Sequence, residues 1–194
     1  MIEWLTTLPW RQRNIRECRL GTPETSNLFF APLPEQIHIA RPKWVDEALN
    51  DNPNQSFWQF HFRPDETKIG RTVRGVLPRR LINPLVEFLR DHRPRLLGAV
   101  DPGTLFVNRD GAALDYQIVT YHVSEIVLKY GGRRMTPHLF RDAFAYAWLD
   151  AFPEDYLSLS KCLWHTTVRY TLSVYGRNFD ESNGVRRTDE WLGA

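Results

Sequence analysis

Between Thr136 and Tyr175 the chain reads TPHLFRDAFAYAWLDAFPEDYLSLSKCLWHTTVRYTLSVY, a stretch that leaves room for little except three consecutive helices. Thr136 suits a helix N-cap, and Pro137 suits the first helical position, where a missing N–H costs nothing. Apolar residues then recur at helical spacing, with Leu139, Ala143, Ala147 and Leu149 expected to face a core. Pro153, Glu154 and Asp155 begin a second helix that ends near His165. A third segment delivers Tyr170 and Tyr175. His138 and Arg141 are three apart and share a face in the first turns. A helix N-terminus offers free N–H groups and partial positive charge, so a histidine and an arginine there suit a phosphate.

Upstream, residues 1–20 read as a turn around Pro9 followed by an arginine-rich helix, with Ile15, Cys18 and Leu20 inward. Residues 26–32 (SNLFFAP) suggest a short strand, and residues 40–50 a short helix. Phe57 to Phe62 alternates apolar and polar, as a half-buried strand does. The segment DETKIGRT is hairpin-like, and Val73 to Leu77 forms the returning strand. Residues 79–92 make an amphipathic helix with Leu81, Leu85, Phe88 and Leu89 on one side. A connector follows to Thr104, then a turn at Asp110-Gly111. The helix from Tyr116 to Tyr130 is stopped by Gly131-Gly132. The expected class is α+β, mainly helical, with a small antiparallel β-sheet packed against a helical bundle.

The 194 residues suit one domain with a substantial core or two small ones. A hydrophobic fraction of 42% and a charged fraction of 25% are ordinary for a soluble globular chain. The net charge of +2 gives no global basic signal. Its make-up says more: 21 of the 25 basic residues are arginine, the better fork for phosphate oxygens. Cys18 and Cys162 read as free thiols of a reducing compartment. No apolar run spans a membrane. The absence of CxxC, HExxH and P-loop patterns gives no reason to expect a metal or a nucleotide cofactor.

Taken singly, His138, Arg141, His165 and Tyr175 are ordinary structural residues. Their order is more telling: His-x-x-Arg, then Leu-x-His, then a tyrosine ten residues later. That order resembles the tyrosine recombinases, or phage integrases, and the resemblance extends over almost the whole chain. It makes Arg11 the first catalytic arginine, with Asn14 at the family's acidic or polar position and Arg13 as the competing register. It also makes Lys68, in the TKIGR turn, the hairpin lysine. Trp164 stands where the family usually has glycine, and Tyr175 comes one residue later than usual. The long interval between Arg11 and Lys68 is absorbed in residues 33–55.

The resemblance implies a phosphodiester attacked by Tyr175, giving a 3′-phosphotyrosine bond and a free 5′-hydroxyl. Free tyrosine has a pKa of about 10, so the hydroxyl needs help. His138 would act as general base or proton relay, and Arg11 and Arg141 would clamp the non-bridging oxygens. His165 would donate to the phosphate, and Lys68 would protonate the departing oxygen. Tyr170 is the competing nucleophile, but it lies only five residues after His165.

By the same resemblance the partner is double-stranded DNA, bound by a homo-tetramer, without cofactor, metal or membrane. The setting would be the cytoplasm and nucleoid of a bacterium or its phage, in integration or recombination of a mobile element. The catalytic domain would occupy residues 1–175. Residues 176–194 would be a tail exchanged between protomers through Trp191 and Leu192. A preceding DNA-binding domain and the first catalytic-domain helix would lie outside the sequence. Two other functions use the same features: relaxation of supercoils by a type IB topoisomerase, and passive occupation of DNA sites without catalysis.

Overall fold

The computed structural model describes residues 1–35 and 41–176. The chain divides into two compact units, Met1–Arg141 and Asp142–Ala194.

The first unit begins with a helix the sequence did not announce, α1 (Ile2–Thr7), ahead of the expected arginine-rich helix α2 (Gln12–Arg16). Aromatic packing holds α1 in place. The Trp4 ring meets Trp10 edge-on at 5.8 Å and Phe106 at 5.7 Å, and Trp10 meets Phe60 at 4.7 Å and Phe62 at 5.1 Å. Such pairs contribute roughly 0.5–1.5 kcal/mol each beyond burial. Ile15 and Cys18 are buried as expected, whereas Leu20 is only half-buried. Burial in apolar surroundings pushes the Cys18 thiol well above its ordinary range.

The sheet has four strands in the order β1 (Leu20–Gly21), β2 (Leu28–Pro32), β3 (Ser56–Phe62) and β4 (Val73–Val76). Phe29 pairs with Gln59, and Phe60 with Gly75, in antiparallel ladders. The expectation of an antiparallel sheet fails at one edge, because β1 pairs parallel to β2 through Leu20 and Leu28. The cause is the buried Asn27. Its Oδ1 accepts from the Arg19 N–H at 2.7 Å, and its Nδ2 donates to the Glu17 carbonyl at 3.1 Å. This staple folds the intervening loop back so that β2 restarts beside β1.

The additional length between α2 and the hairpin forms α3 (Lys43–Asp51). Val45 buries against Phe57 and Val76, with Trp44, Ala48 and Leu49 around them. Beyond β4, α4 (Arg79–Glu87) runs into a π turn over Phe88–His92, and α5 (Arg93–Leu96) occupies what reads in sequence as a connector. Buried Arg93 fixes that segment. It donates to Asp101 at 2.8 Å and to the Thr104 carbonyl at 2.8 Å, and the Arg93 hydrogen bond holds the Asp101 carboxyl below its ordinary range. Helix α6 (Tyr116–Gly131) is capped by Asp115, which accepts from the Ile118 N–H at 2.8 Å. It ends at Gly132, whose φ of 72° is the left-handed conformation glycine tolerates.

Helix α7 (Pro137–Ala151) starts where Thr136-Pro137 predicts, but its buried face is turned by about one residue. Leu139 is 43% exposed, and Ala143 and Ala147 are also exposed. In the second unit Ala145 packs with Leu159, Leu163 and Tyr175, and Phe144, Trp148 and Leu149 border that core. Large rings remove far more apolar area from water than alanines do, so Phe144 and Trp148 decide which face is buried. Asp155 caps α8 (Tyr156–Cys162), and Thr167 caps α9 (Val168–Tyr175). The expected tail, with Trp191 and Leu192, lies outside the described residues. Among the described residues no helix is long and apolar enough to cross a membrane.

Candidate active site

In the first unit a cleft of about 370 Å³ gathers residues from four separate parts of the chain. Arg11, Gln12 and Arg13 come from the start of α2, Lys68 from the β3–β4 connection, Tyr116 and Thr120 from α6, and His138 and Arg141 from α7. Four of the six candidate residues therefore line one wall-to-wall space: Arg11, Lys68, His138 and Arg141.

The local fold explains why they meet. Arg11 follows Trp10, which is locked among Phe60, Phe62 and Trp4, and it occupies the extended N-cap position of α2. The Gln12 amide donates to the Tyr116 carbonyl at 2.9 Å, tying α2 to α6. The Asn14 amide, three residues after Arg11, is buried and donates to the Glu66 carbonyl at 3.0 Å, tying α2 to the lysine turn. Arg13 also borders the cleft, but its guanidinium pairs with Glu17 at 2.9 Å along the outside of α2. The Ser124 hydroxyl donates to the Met135 carbonyl at 3.2 Å, which anchors the approach to α7 to α6. His138 stays exposed in the first turn. Arg141 is only 3% exposed, and its Nη1 donates a short hydrogen bond to the Pro9 carbonyl.

Lys68 is an exposed residue of a tightly bonded turn. Gly70 donates to the Thr67 carbonyl at 3.2 Å and takes a φ of 63°. The buried Thr67 hydroxyl bridges across the turn, donating to the Arg71 carbonyl at 2.8 Å and accepting from the Arg71 N–H at 3.2 Å. Just before it, Glu66 is pushed up by burial. The Arg63 N–H, the Asn27 amide and Arg19 outweigh that and hold the carboxyl below its ordinary range.

His165 and Tyr175 belong to the second unit. The His165 Nδ1 lies 2.8 Å from the hydroxyl of Thr171, a fully buried residue. If the Thr171 hydroxyl donates to Nδ1, then Nε2 carries the ring proton and is a donor. Two tyrosine rings approach this imidazole: Tyr170 edge-on at 4.8 Å, and Tyr175 nearly parallel at 6.4 Å. They differ in setting. Tyr170 is 54% exposed, whereas Tyr175 is 5% exposed and its hydroxyl donates to Asp142 Oδ1 at 2.7 Å. Gly176 ends α9 at a φ of −79°, so the helix stops there without a left-handed turn.

Trp164, at the position where the sequence departs from a glycine, adopts a φ of 48°. A non-glycine residue there costs roughly 1–2 kcal/mol. The indole is almost wholly buried, and removing such a ring costs roughly 3–5 kcal/mol. Burial therefore wins over strain. Trp164→Gly is expected to lower stability by about 2 kcal/mol, measured as a shift in the urea midpoint; a gain in stability would mean that strain dominates.

Sequence reading missed Asp142, Thr171, Glu66 and the carbonyl of Pro9. Each acts through a hydrogen bond whose partner is set by the fold; Asp142, next to Arg141, and Thr171, next to Tyr170, had neighbours that could have drawn attention to them.

No protein-family model and no curated protein matches the sequence. Solved structures do match. One is the XerH site-specific recombinase bound to difH substrate as a pre-cleavage complex, with a TM-score of 0.64, 17% identity, and coverage of 98% of this chain and 45% of that one. Another is XerA recombinase, with a TM-score of 0.58, 16% identity, and coverage of 98% and 56%. A third is the Tn1549 transposon integrase in complex with transposon right end DNA, with a TM-score of 0.59, 15% identity, and coverage of 100% and 57%. The chain spans about half the length of these proteins. Its fold is that of a tyrosine recombinase, or integrase, catalytic domain.

Proposed function

We propose that this chain is the catalytic region of a site-specific DNA recombinase that cleaves and rejoins strands through a 3′-phosphotyrosine intermediate. The observation that carries this reading is the convergence of Arg11, Lys68, His138 and Arg141, distant in sequence, on one cleft. Two guanidiniums beside a lysine and an exposed imidazole suit a phosphodiester in the five-coordinate transition state.

In this reading Arg11 and Arg141 hold the non-bridging oxygens. His165 donates from Nε2 to one of them, oriented by Thr171. The Tyr175 oxygen attacks phosphorus and forms the tyrosyl–phosphate bond as the bond to the 5′-oxygen breaks. His138 takes the phenolic proton, and Lys68 gives one to the 5′-oxygen. The free 5′-hydroxyl of a partner strand reverses the steps, so bond energy is conserved. The hydroxyl of Tyr175 must first leave Asp142. The partner is duplex DNA, and the working form is a homo-tetramer on it, in a bacterial or phage setting. Trp191 and Leu192 would link its protomers.

The test is a duplex nicked close to the cleavage point, whose short product diffuses away and traps the adduct. Denaturing gels are expected to show a covalent protein–DNA species. A protein that binds the duplex but never forms this species would be a passive DNA binder. Relaxation of supercoiled plasmid without joining of two duplexes would mark a topoisomerase.

A further inference from the structure

The β3–β4 connection is built more rigidly than an exposed lysine turn requires. Glu66 sits at its centre. Its Oε2 accepts from the Arg63 N–H at 2.8 Å, and its Oε1 accepts from the Asn27 amide at 3.1 Å and from Arg19 in a short ion pair. Its own N–H donates to the Arg63 carbonyl at 3.0 Å, and its carbonyl accepts from the buried Asn14 amide at 3.0 Å. One residue therefore joins the lysine turn to β2 through Asn27 and to α2, which carries Arg11, through Asn14. Thr67 continues the brace on the other side of Lys68 by bridging to both backbone groups of Arg71. The two braces flank the lysine, which lines the same cleft as Arg11 and His138.

We propose that Glu66 is a positioning residue for Lys68, setting the height and direction from which the ammonium reaches the departing oxygen. The proposal rests on the reading of Lys68 as the leaving-group acid. A general acid accelerates cleavage by roughly 10²–10⁴-fold. Displacing a catalytic group by about 1 Å costs on the order of 10²-fold. Loosening the Glu66 brace therefore removes a part of what deleting the lysine removes, and it removes it from the same step. Glu66 touches no reacting atom, so its effect is confined to reactions in which the leaving oxygen needs a proton.

The experiment compares single-turnover cleavage of ordinary duplex DNA with that of DNA carrying sulfur at the bridging 5′ position, because a thiolate leaves without protonation. Lys68→Ala is expected to lose about 10²–10⁴-fold on oxygen and to recover most of it on sulfur. Glu66→Gln and Thr67→Val are expected to lose roughly 10–100-fold on oxygen and to approach the unmodified protein on sulfur. Circular dichroism and thermal unfolding check that each variant is folded at the assay temperature. If Glu66→Gln does not fold, Arg19→Gln removes only its charged partner and carries the same expectation. Equal losses on both substrates, or no loss on oxygen, overturn the positioning role while Lys68→Ala rescue still stands. Failure of sulfur to rescue Lys68→Ala overturns the leaving-group assignment, and the positioning role with it.

Discussion

Tyr175→Phe is expected to abolish the covalent protein–DNA adduct while leaving duplex affinity within about twofold of the unmodified protein. The substitution removes one oxygen and keeps the ring. The ring is the structural part of the residue, since it packs with Ala145, Leu159 and Leu163. What is lost from the fold is the hydrogen bond to Asp142, at 2.7 Å. Such a bond is worth about 1–1.5 kcal/mol, and somewhat more when the acceptor is charged. The half-buried Asp142 keeps access to water, which limits the loss. The variant should melt a few degrees lower and still bind. Tyr170→Phe is the control, because Tyr170 is exposed and also touches His165. It should form the adduct at nearly the ordinary rate. Peptide mapping of the trapped species identifies the modified residue directly. A nucleotide on Tyr170, or an adduct formed by Tyr175→Phe, would remove Tyr175 from the mechanism.

Arg141→Ala is expected to lower the cleavage rate by about 10²–10³-fold, the range typical of removing one donor from a developing anion. DNA affinity should fall far less, because many phosphates share the binding and only one is being cleaved. The structure adds a second consequence. Arg141 is buried and donates to the Pro9 carbonyl, next to the Trp10 cluster that fixes Arg11. Removing it strands that carbonyl and costs roughly 1–3 kcal/mol of stability. Arg141→Lys retains the charge but not the planar fork, so it should recover part of the stability and little of the rate. Rates must be taken below the melting temperature of each variant, with binding measured on the same uncleaved duplex. Equal losses in rate and affinity would reduce Arg141 to a structural residue.

The elements were largely legible because their signals are local. Thr136-Pro137 opens α7, Asp155 and Thr167 cap α8 and α9, and Gly132 stops α6. The alternation in residues 57–62 marks β3, and Gly70 and Gly111 take the positive φ their turns need. Each of these depends on a residue's own backbone preference and its neighbours within one turn. The order of candidate residues was legible in the same way, and it led to the fold that the solved recombinases share.

Other features depended on partners far away in the chain. The face of α7 was misjudged because periodicity counts apolar positions, while burial is decided by the area of Phe144 and Trp148 against α8 and α9. The parallel edge of the sheet rests on Asn27 reaching back to Arg19 and Glu17, and α1 on the mutual packing of Trp4, Trp10 and Phe106. By itself the sequence put forward Arg11, Lys68, His138, Arg141, His165 and Tyr175 as the candidates, in that order. Only the tertiary structure decided which groups hold them or the segments that carry them: the Asn14 amide on the Glu66 carbonyl at the base of the lysine turn, the Pro9 carbonyl on Arg141, Thr171 on His165 and Asp142 on Tyr175. A hydrogen bond acts over about 3 Å in space and is indifferent to separation along the chain, so no spacing in the sequence encodes it.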